Sequence, residues 1–439
     1  MLSKEQKEQY IKELAADLPP WAYNAAATFE PGKTPVYYSG PYFDEKEIEA
    51  ALKTFLTGKW LVTGTEVAKF QWKFARKFGV KHAHMVNSGS SANLVMLAAL
   101  KKYYGWTEYT EILVSPVGFP TTIAPIVQNG MKPVFVDIEM ESLNFDLSKL
   151  EAAITADTKA IFVSPVLGNP PNMDWLESIA STYGLVLIGD NCDSLGSIWD
   201  DKEITDYYDA WSCSFYPAHH ITTGEGGMIC SNNEEVVNLA RSISWWGRDC
   251  VCIGQANLKP DGSCGKRFCN WLRNYDGIVD HKYVFANMGY NLKPLDMQGA
   301  MGSVQLDKFD EIHARRRESY RRISALIERY VADFEGMRQA RVVKEHELAE
   351  TSWFGVPIVC ETPEVKAKLQ AHFEAHKIQT RNYFAGNILL HPGYEHLDDY
   401  RDYPFANLAL SHVFFVGAAP HYDDAIFDYF EEVLKKWNQ

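Results

Sequence analysis

At 439 residues and 46% apolar content, the chain is long enough for one large α/β domain and a smaller second one, each with its own core. Its 43 basic and 57 acidic residues leave a formal charge of -14, a field that disfavours nucleic acid and anionic membranes as partners, so any phosphate ligand must be held by local donors. There is no run of eighteen apolar residues, and the opening MLSKEQKEQYIKELAADL reads as a charged amphipathic helix rather than a signal peptide, which predicts a cytoplasmic protein.

Beyond an N-terminal helical extension over 1–35, short β-rich runs alternate with helix-like segments from about residue 84 to 231: HMVN, EILVSP, PVFVDI, KAIFVSP, LVLIGD, AWSCSF and GGMICS. The alternation predicts a mostly parallel sheet covered by helices on both faces, in a large domain over 36–300. Ligands of such sheets collect at the C-terminal ends of the strands. Residues 232–248 resume helical periodicity, whereas 249–285 are rich in Cys, Gly and Lys without a period and read as a long functional loop. A helix over roughly 295–331 leads into a small α+β domain that completes 301–439, with a strand at WFGVPIV and a closing helix at DDAIFDYFEEVLKKW.

Three segments carry chemistry. Asn87-Ser88-Gly89-Ser90-Ser91-Ala92-Asn93 lies between a strand and an apolar helix, where free N–H groups and hydroxyls make a phosphate site, although Ser-Gly-Ser there is equally a plain N-cap. Leu187-Ile188-Gly189-Asp190 ends an apolar strand in a carboxylate; beside a pyridine nitrogen it would keep that nitrogen protonated, and otherwise it caps a helix. The third segment runs from Ser212-Cys213-Ser214-Phe215-Tyr216 through Pro217-Ala218-His219-His220 to Glu225-Gly226-Gly227.

That third segment resembles the sugar-nucleotide aminotransferase family, whose pattern is Ser-Phe, three residues, Lys, then a short run to Glu-Gly-Gly; His219 falls at the lysine position. The resemblance spans about 35–430 and includes Pro116-Val117-Gly118-Phe119-Pro120-Thr121-Thr122, Gly289-Tyr290-Asn291-Leu292-Lys293 and Tyr383-Phe384-Ala385-Gly386-Asn387 in the family's order. It implies the α/β type I fold of the aspartate aminotransferases and a pyridoxal or pyridoxamine phosphate cofactor. Carried over residue by residue, Gly89, Ser90 and Ser214 would hold the phosphate, Phe119 would stack on the ring, and Asp190 would pair with the ring nitrogen. Asp193 stands where the family usually has His or Gln beside the ring's phenolic oxygen. Asn291 would reach the phosphate of the neighbouring subunit, which implies a homodimer. Read without the motif order, Phe119 is a core residue.

A lysine amine tethers pyridoxal phosphate as a Schiff base, and imidazole cannot. The cofactor should then be held non-covalently, most usefully as pyridoxamine phosphate, whose amine condenses with a substrate ketone. With an ordinary pKa of about 6.5, His219 is suited to take a proton from the cofactor and help a hydroxyl leave as water, with His220 as the competing residue. His84, His281, Lys282, Lys293, Arg381 and Asn387 are open between substrate contact and structure.

The eight cysteines are not expected to form disulfide staples, because the cytosol keeps thiols reduced. Cys192 is followed after 57 residues by Cys250, after one by Cys252 and after eleven by Cys264. Spacing alone favours zinc or inert thiols, since no ferredoxin-type run is present. Within the family, however, the histidine variants with a cysteine cluster are the CDP-6-deoxyhexulose 3-dehydrases, which use pyridoxamine phosphate and a 2Fe-2S cluster. The resemblance therefore implies Cys192, Cys250, Cys252 and Cys264 as cluster ligands. The last interval is longer than theirs, so the loop carries an insertion, and Cys269 competes with Cys264. Cys213, Cys230 and Cys360 read as buried thiols.

The implied activity is C3 dehydration of a nucleotide-linked 4-keto-6-deoxyhexose such as CDP-4-keto-6-deoxyglucose, with electrons from an NAD(P)H-dependent flavin or iron-sulfur reductase. The rival readings are a cluster-free dehydratase, an ordinary sugar aminotransferase, and a non-catalytic cofactor-binding or zinc-stabilised protein.

Overall fold

The computed structural model describes residues 2–58, 60–250, 267–331, 333–334 and 337–437. All seven β-rich runs become strands of one sheet: His82–Val86, Glu111–Val114, Lys132–Phe135, Thr158–Val163, Val186–Asp190, Ala210–Ser214 and Gly227–Ser231. In space they follow the order 82–86, 227–231, 210–214, 186–190, 158–163, 111–114, 132–135. The five strands from 111 to 214 pair in parallel, and Gly227–Ser231 runs antiparallel between its two neighbours.

Strand alternation sends successive side chains to opposite faces, so each strand feeds two cores. Val86, Ile112, Val114 and Ile188 pack on one face with Val95 and Met96 of the Gly89–Tyr104 helix. Met85, Leu113, Leu187 and Trp211 pack on the other with Phe70 and Phe74 of the Thr65–Lys77 helix. Burial on both faces explains why these strands read as nearly continuous apolar runs. Ser88 caps the Gly89–Tyr104 helix by accepting from the Ser91 amide, and Gly105 ends it in the left-handed conformation at φ 68°.

The helix expected over 295–331 is two, Asp296–Asp307 and Phe309–Tyr330, with Lys308 between them at φ -94° and ψ -2°. At the break the Lys308 ammonium meets Asp44 at 2.9 Å and the fully buried Glu47 at 2.8 Å. The second helix crosses to a small antiparallel sheet of Ala340–Val342, Gly355–Cys360, Val413–Gly417 and Thr380–Asn382. Its closing helix is Asp424–Lys435. At the other end of the chain, Lys4–Asp17 forms the expected helix, begun by a capping box between Ser3 and Gln6.

The segment 249–285 is not structureless in its described part. Phe268–Cys269 pairs with Val279–Asp280, and His281 meets Asp249 at 2.9 Å, returning the hairpin to where the segment began. Residues 251–266, and with them Cys252 and Cys264, lie outside the described residues. Among the described residues no helix is long and apolar enough to cross a membrane.

Candidate active site

The strands Val186–Asp190 and Ala210–Ser214 run in parallel with Asp190 beside Ser212, so the carboxylate and Ser214 emerge at the same edge of the sheet. The Gly89–Tyr104 helix begins there too. Together they open a cavity of about 430 Å³ whose wall includes Gly89, Ser90, Phe119, Asp190, Cys192, Asp193, Ser214 and His219. Cys250 is not among the residues that line this cavity, and the expected catalytic and cofactor residues meet there apart from Asn291. That side chain is exposed and is not part of this wall.

The helix start makes an anion cradle. Ser88, Gly89 and Ser90 of its first turn line the cavity with Ser214, and Ser90 Oγ lies 3.0 Å from Thr121 Oγ1. Space is tight: a Cβ on Gly89 would stand 2.5 Å from Ser214 Cβ and 3.0 Å from Cys192 Sγ. One on Gly227 would stand 2.2 Å from the Ser88 carbonyl oxygen, which is why the strand behind the cradle opens on glycine. The cradle fits a phosphate approached by backbone. Gly89→Ala is therefore expected to weaken pyridoxamine phosphate binding about tenfold or more, measured by fluorescence titration, because overpacking of about 1–3 kcal/mol displaces the helix start.

Asp190 is 5% exposed and held by three donors. Its Oδ2 accepts from Asn93 Nδ2 at 2.8 Å and Thr122 Oγ1 at 2.7 Å, and its Oδ1 from the Cys192 amide at 3.2 Å. It caps no helix; the donors fix the carboxylate at the cavity wall, suited to a protonated ring nitrogen. Phe119 is 53% exposed and belongs to the cavity rather than the core, its ring edge-on to Phe384 at 6.1 Å.

His219 rather than His220 faces the cavity. His220 is buried behind it, with Nε2 2.9 Å from the Ser352 carbonyl oxygen. Burial, with the Arg316 charge nearby, pulls the His219 pKa down to about 3, while burial and the Asp190 charge push Asp193 up to about 7. The 3.4 Å approach of His219 Nδ1 to Asp193 Oδ1 at neutral pH thus joins a neutral imidazole to a carboxyl poised to share a proton, not a fixed ion pair. Beyond that approach, Nδ1 has no hydrogen-bond partner.

Cys192 supplies a thiol to the same wall, and burial beside Asp190 and Asp193 pushes its pKa well up. A thiolate there requires a compensating cation. Cys250 is buried and Cys269 exposed on its hairpin, and no group of three or more His, Cys, Asp or Glu side chains suited to a metal occurs among the described residues. Cys213, Cys230 and Cys360 are the buried thiols expected.

A family model described as the DegT/DnrJ/EryC1/StrS aminotransferase family matches residues 43–434. The chain belongs to this family. It is 36% identical over 419 residues to a dTDP-4-dehydro-2,6-dideoxy-D-glucose 3-dehydratase of Saccharopolyspora spinosa, covering 93% of this chain and 88% of that one. It is 37% identical over 370 residues to a lipopolysaccharide biosynthesis protein of Salmonella typhimurium, covering 83% and 82%. Among solved structures, Escherichia coli GDP-4-keto-6-deoxy-D-mannose-3-dehydratase with bound hydrated PLP superposes with a TM-score of 0.78 at 29% identity, over 91% of this chain and 99% of that one. The α/β type I fold of the B6 enzymes is thereby established for this family member.

Several wall residues had no local signal. Tyr38 and Phe354 arrive from segments far from the motifs, and Arg316 reaches the back of the site from the Phe309–Tyr330 helix. Conversely, His84 is a core residue bonded to Ser244 at 2.8 Å, and Asn387, 0% exposed, bonds Asn407.

Proposed function

We propose that this family member dehydrates a nucleotide-linked 4-keto-6-deoxyhexose at C3, with pyridoxamine phosphate as a non-covalent cofactor. One observation carries the reading: an imidazole, His219, faces the cavity, and no lysine is among the described residues that line it. The sugar-nucleotide 3-dehydratases among its relatives support the same reaction class. When bound, the cofactor supplies an amine for the C4 ketone and a ring that stores an electron pair.

The chain's residues supply the rest. Gly89, Ser90 and Ser214 hold the phosphate at the helix start, and Phe119 covers one ring face. Asp190 would keep the ring nitrogen protonated, and Asp193, beside His219 in the cavity wall, would stand at the phenolic side of the ring. His219, neutral at neutral pH, accepts a proton, and its acidic conjugate form gives one to the departing C3 hydroxyl. Asn291 completes the cradle of a second copy in a homodimer.

The redox half of the proposal assigns Cys192, Cys250, Cys252 and Cys264 to a 2Fe-2S cluster, which would pass single electrons from a separate NAD(P)H-dependent flavin or iron-sulfur reductase. Two electrons and two protons then replace the hydroxyl by hydrogen and release water, giving a 4-keto-3,6-dideoxy sugar. CDP-4-keto-6-deoxyglucose is the substrate the cysteine pattern favours, and dTDP- and GDP-linked sugars are the comparison substrates.

Protein purified without oxygen and reconstituted with iron and sulfide is expected to show a cluster by absorbance and, once reduced, by EPR. Turnover should require the reductase. Cys264→Ser should abolish iron retention and Cys269→Ser should not. Iron-free protein after reconstitution, turning over without a reductase, would instead make this a cluster-free dehydratase. A cofactor fixed to a lysine by borohydride in the native chain would overturn the dehydratase reading.

A further inference from the structure

Arg316 sits on the Phe309–Tyr330 helix and is 0% exposed. Its guanidinium meets only neutral groups: Nη2 donates to the carbonyls of His219 at 2.9 Å and Ala218 at 3.0 Å and reaches Ser39 Oγ at 3.4 Å, and Nη1 donates to the Phe354 carbonyl at 3.3 Å. Nε has no partner, and among the described residues no carboxylate forms an ion pair with this cation. Burial lowers its pKa to about 10, which leaves it charged at neutral pH.

A cation kept so deep, with the field of the buried Asp193 carboxyl but no carboxylate within ion-pair distance among the described residues, is costly, and buried charges exchanged for apolar side chains of similar volume often leave a fold as stable or more so. Stability therefore does not account for it. Its donors converge on the peptide that carries the imidazole. The outer side of that turn is closed by its own backbone, the His219 amide donating to the Tyr216 carbonyl at 3.0 Å; the inner side rests on Arg316. The same guanidinium holds Phe354, whose ring lies 5.3 Å from the His219 ring. Both the peptide and the ring of His219 are thus referred to one point on the helix that joins the two domains.

We propose that Arg316 is a positioning residue that fixes where the His219 imidazole stands in the cavity and ties that position to the small domain through Phe354. The inference rests on the reading of His219 as the proton carrier. In chains loaded with pyridoxamine phosphate, Arg316→Met should lower kcat about 100-fold, the cost of misplacing a reacting group by about 1 Å, with KM and cofactor affinity within about threefold of native. Arg316→Lys, which keeps the charge and some donors, should recover at least a tenth of native kcat, and both variants should melt within about 5 °C of the native chain. Native kcat in Arg316→Met overturns the proposal, as does a parallel loss of melting temperature, cofactor binding and kcat.

A second measurement does not need turnover. In a His219→Lys background, borohydride fixation of pyridoxal phosphate, read by intact mass, should slow about tenfold or more when Arg316→Met is added, and an unchanged rate overturns the proposal. If the native chain dehydrates no nucleotide-linked ketosugar, the reading of function fails, while the fixation rates still judge Arg316.

Discussion

His219→Asn is expected to lower turnover by about 10³-fold while pyridoxamine phosphate stays bound at near-native affinity, because a positioned acid–base group contributes about 10²–10⁴-fold. Asparagine keeps a polar side chain of similar reach and removes only the titrating function. The environment sets which half of the work is demanding. Burial and the Arg316 charge hold the imidazole pKa near 3, so the residue is free base at neutral pH, and the acid it becomes after taking a proton gives it up readily. That suits expulsion of a hydroxyl, which must leave as water. His219→Lys supplies the complementary result: an amine at this position should fix pyridoxal phosphate covalently, read by borohydride and intact mass, and should stop dehydration. Near-native turnover in His219→Asn would remove the imidazole from the mechanism.

The sheet was legible because its inner strands are buried on both faces and must read as apolar runs. Asp190 was a candidate because it ends an apolar strand, where such sheets gather ligands, with a helix cap as the alternative, and Ser214 was a candidate through the family motif; both stand at strand ends. His219 was legible by its register in a motif, and the structure decides between it and His220 by which one has the cavity in front of it. Arg316 was not legible. On its helix it is one of three consecutive arginines, and only the fold distinguishes it from the partly exposed Arg317, which pairs with Glu350 at 3.0 Å. The break at Lys308 was hidden for a related reason: no glycine or proline marks it, and the side chain that anchors it finds its carboxylates more than 250 residues earlier in the chain. His84 and Asn387, open between substrate contact and structure in the sequence, are both engaged in buried hydrogen bonds.

Asp190→Asn is expected to cost about 10²–10³-fold in turnover at saturating pyridoxamine phosphate, the scale found when a preorganised electrostatic partner is removed. Two effects are combined and can be separated. The native carboxylate accepts from Asn93, Thr122 and the Cys192 amide, and asparagine offers one oxygen where there were two. Its own NH₂ then faces a donor, leaving a buried polar group unpaired at about 1–3 kcal/mol, which should appear as a lower melting temperature and weaker cofactor binding. The second effect is loss of the negative charge that keeps the ring nitrogen protonated, and raising the cofactor concentration cannot restore it. Asn93→Ala provides the control, since it removes a donor but keeps the charge: it should weaken binding while leaving most of the turnover at saturation. If Asp190→Asn also regains native turnover at saturating cofactor, the carboxylate only anchors the ring, and the electron-storing role assigned to the protonated nitrogen is wrong.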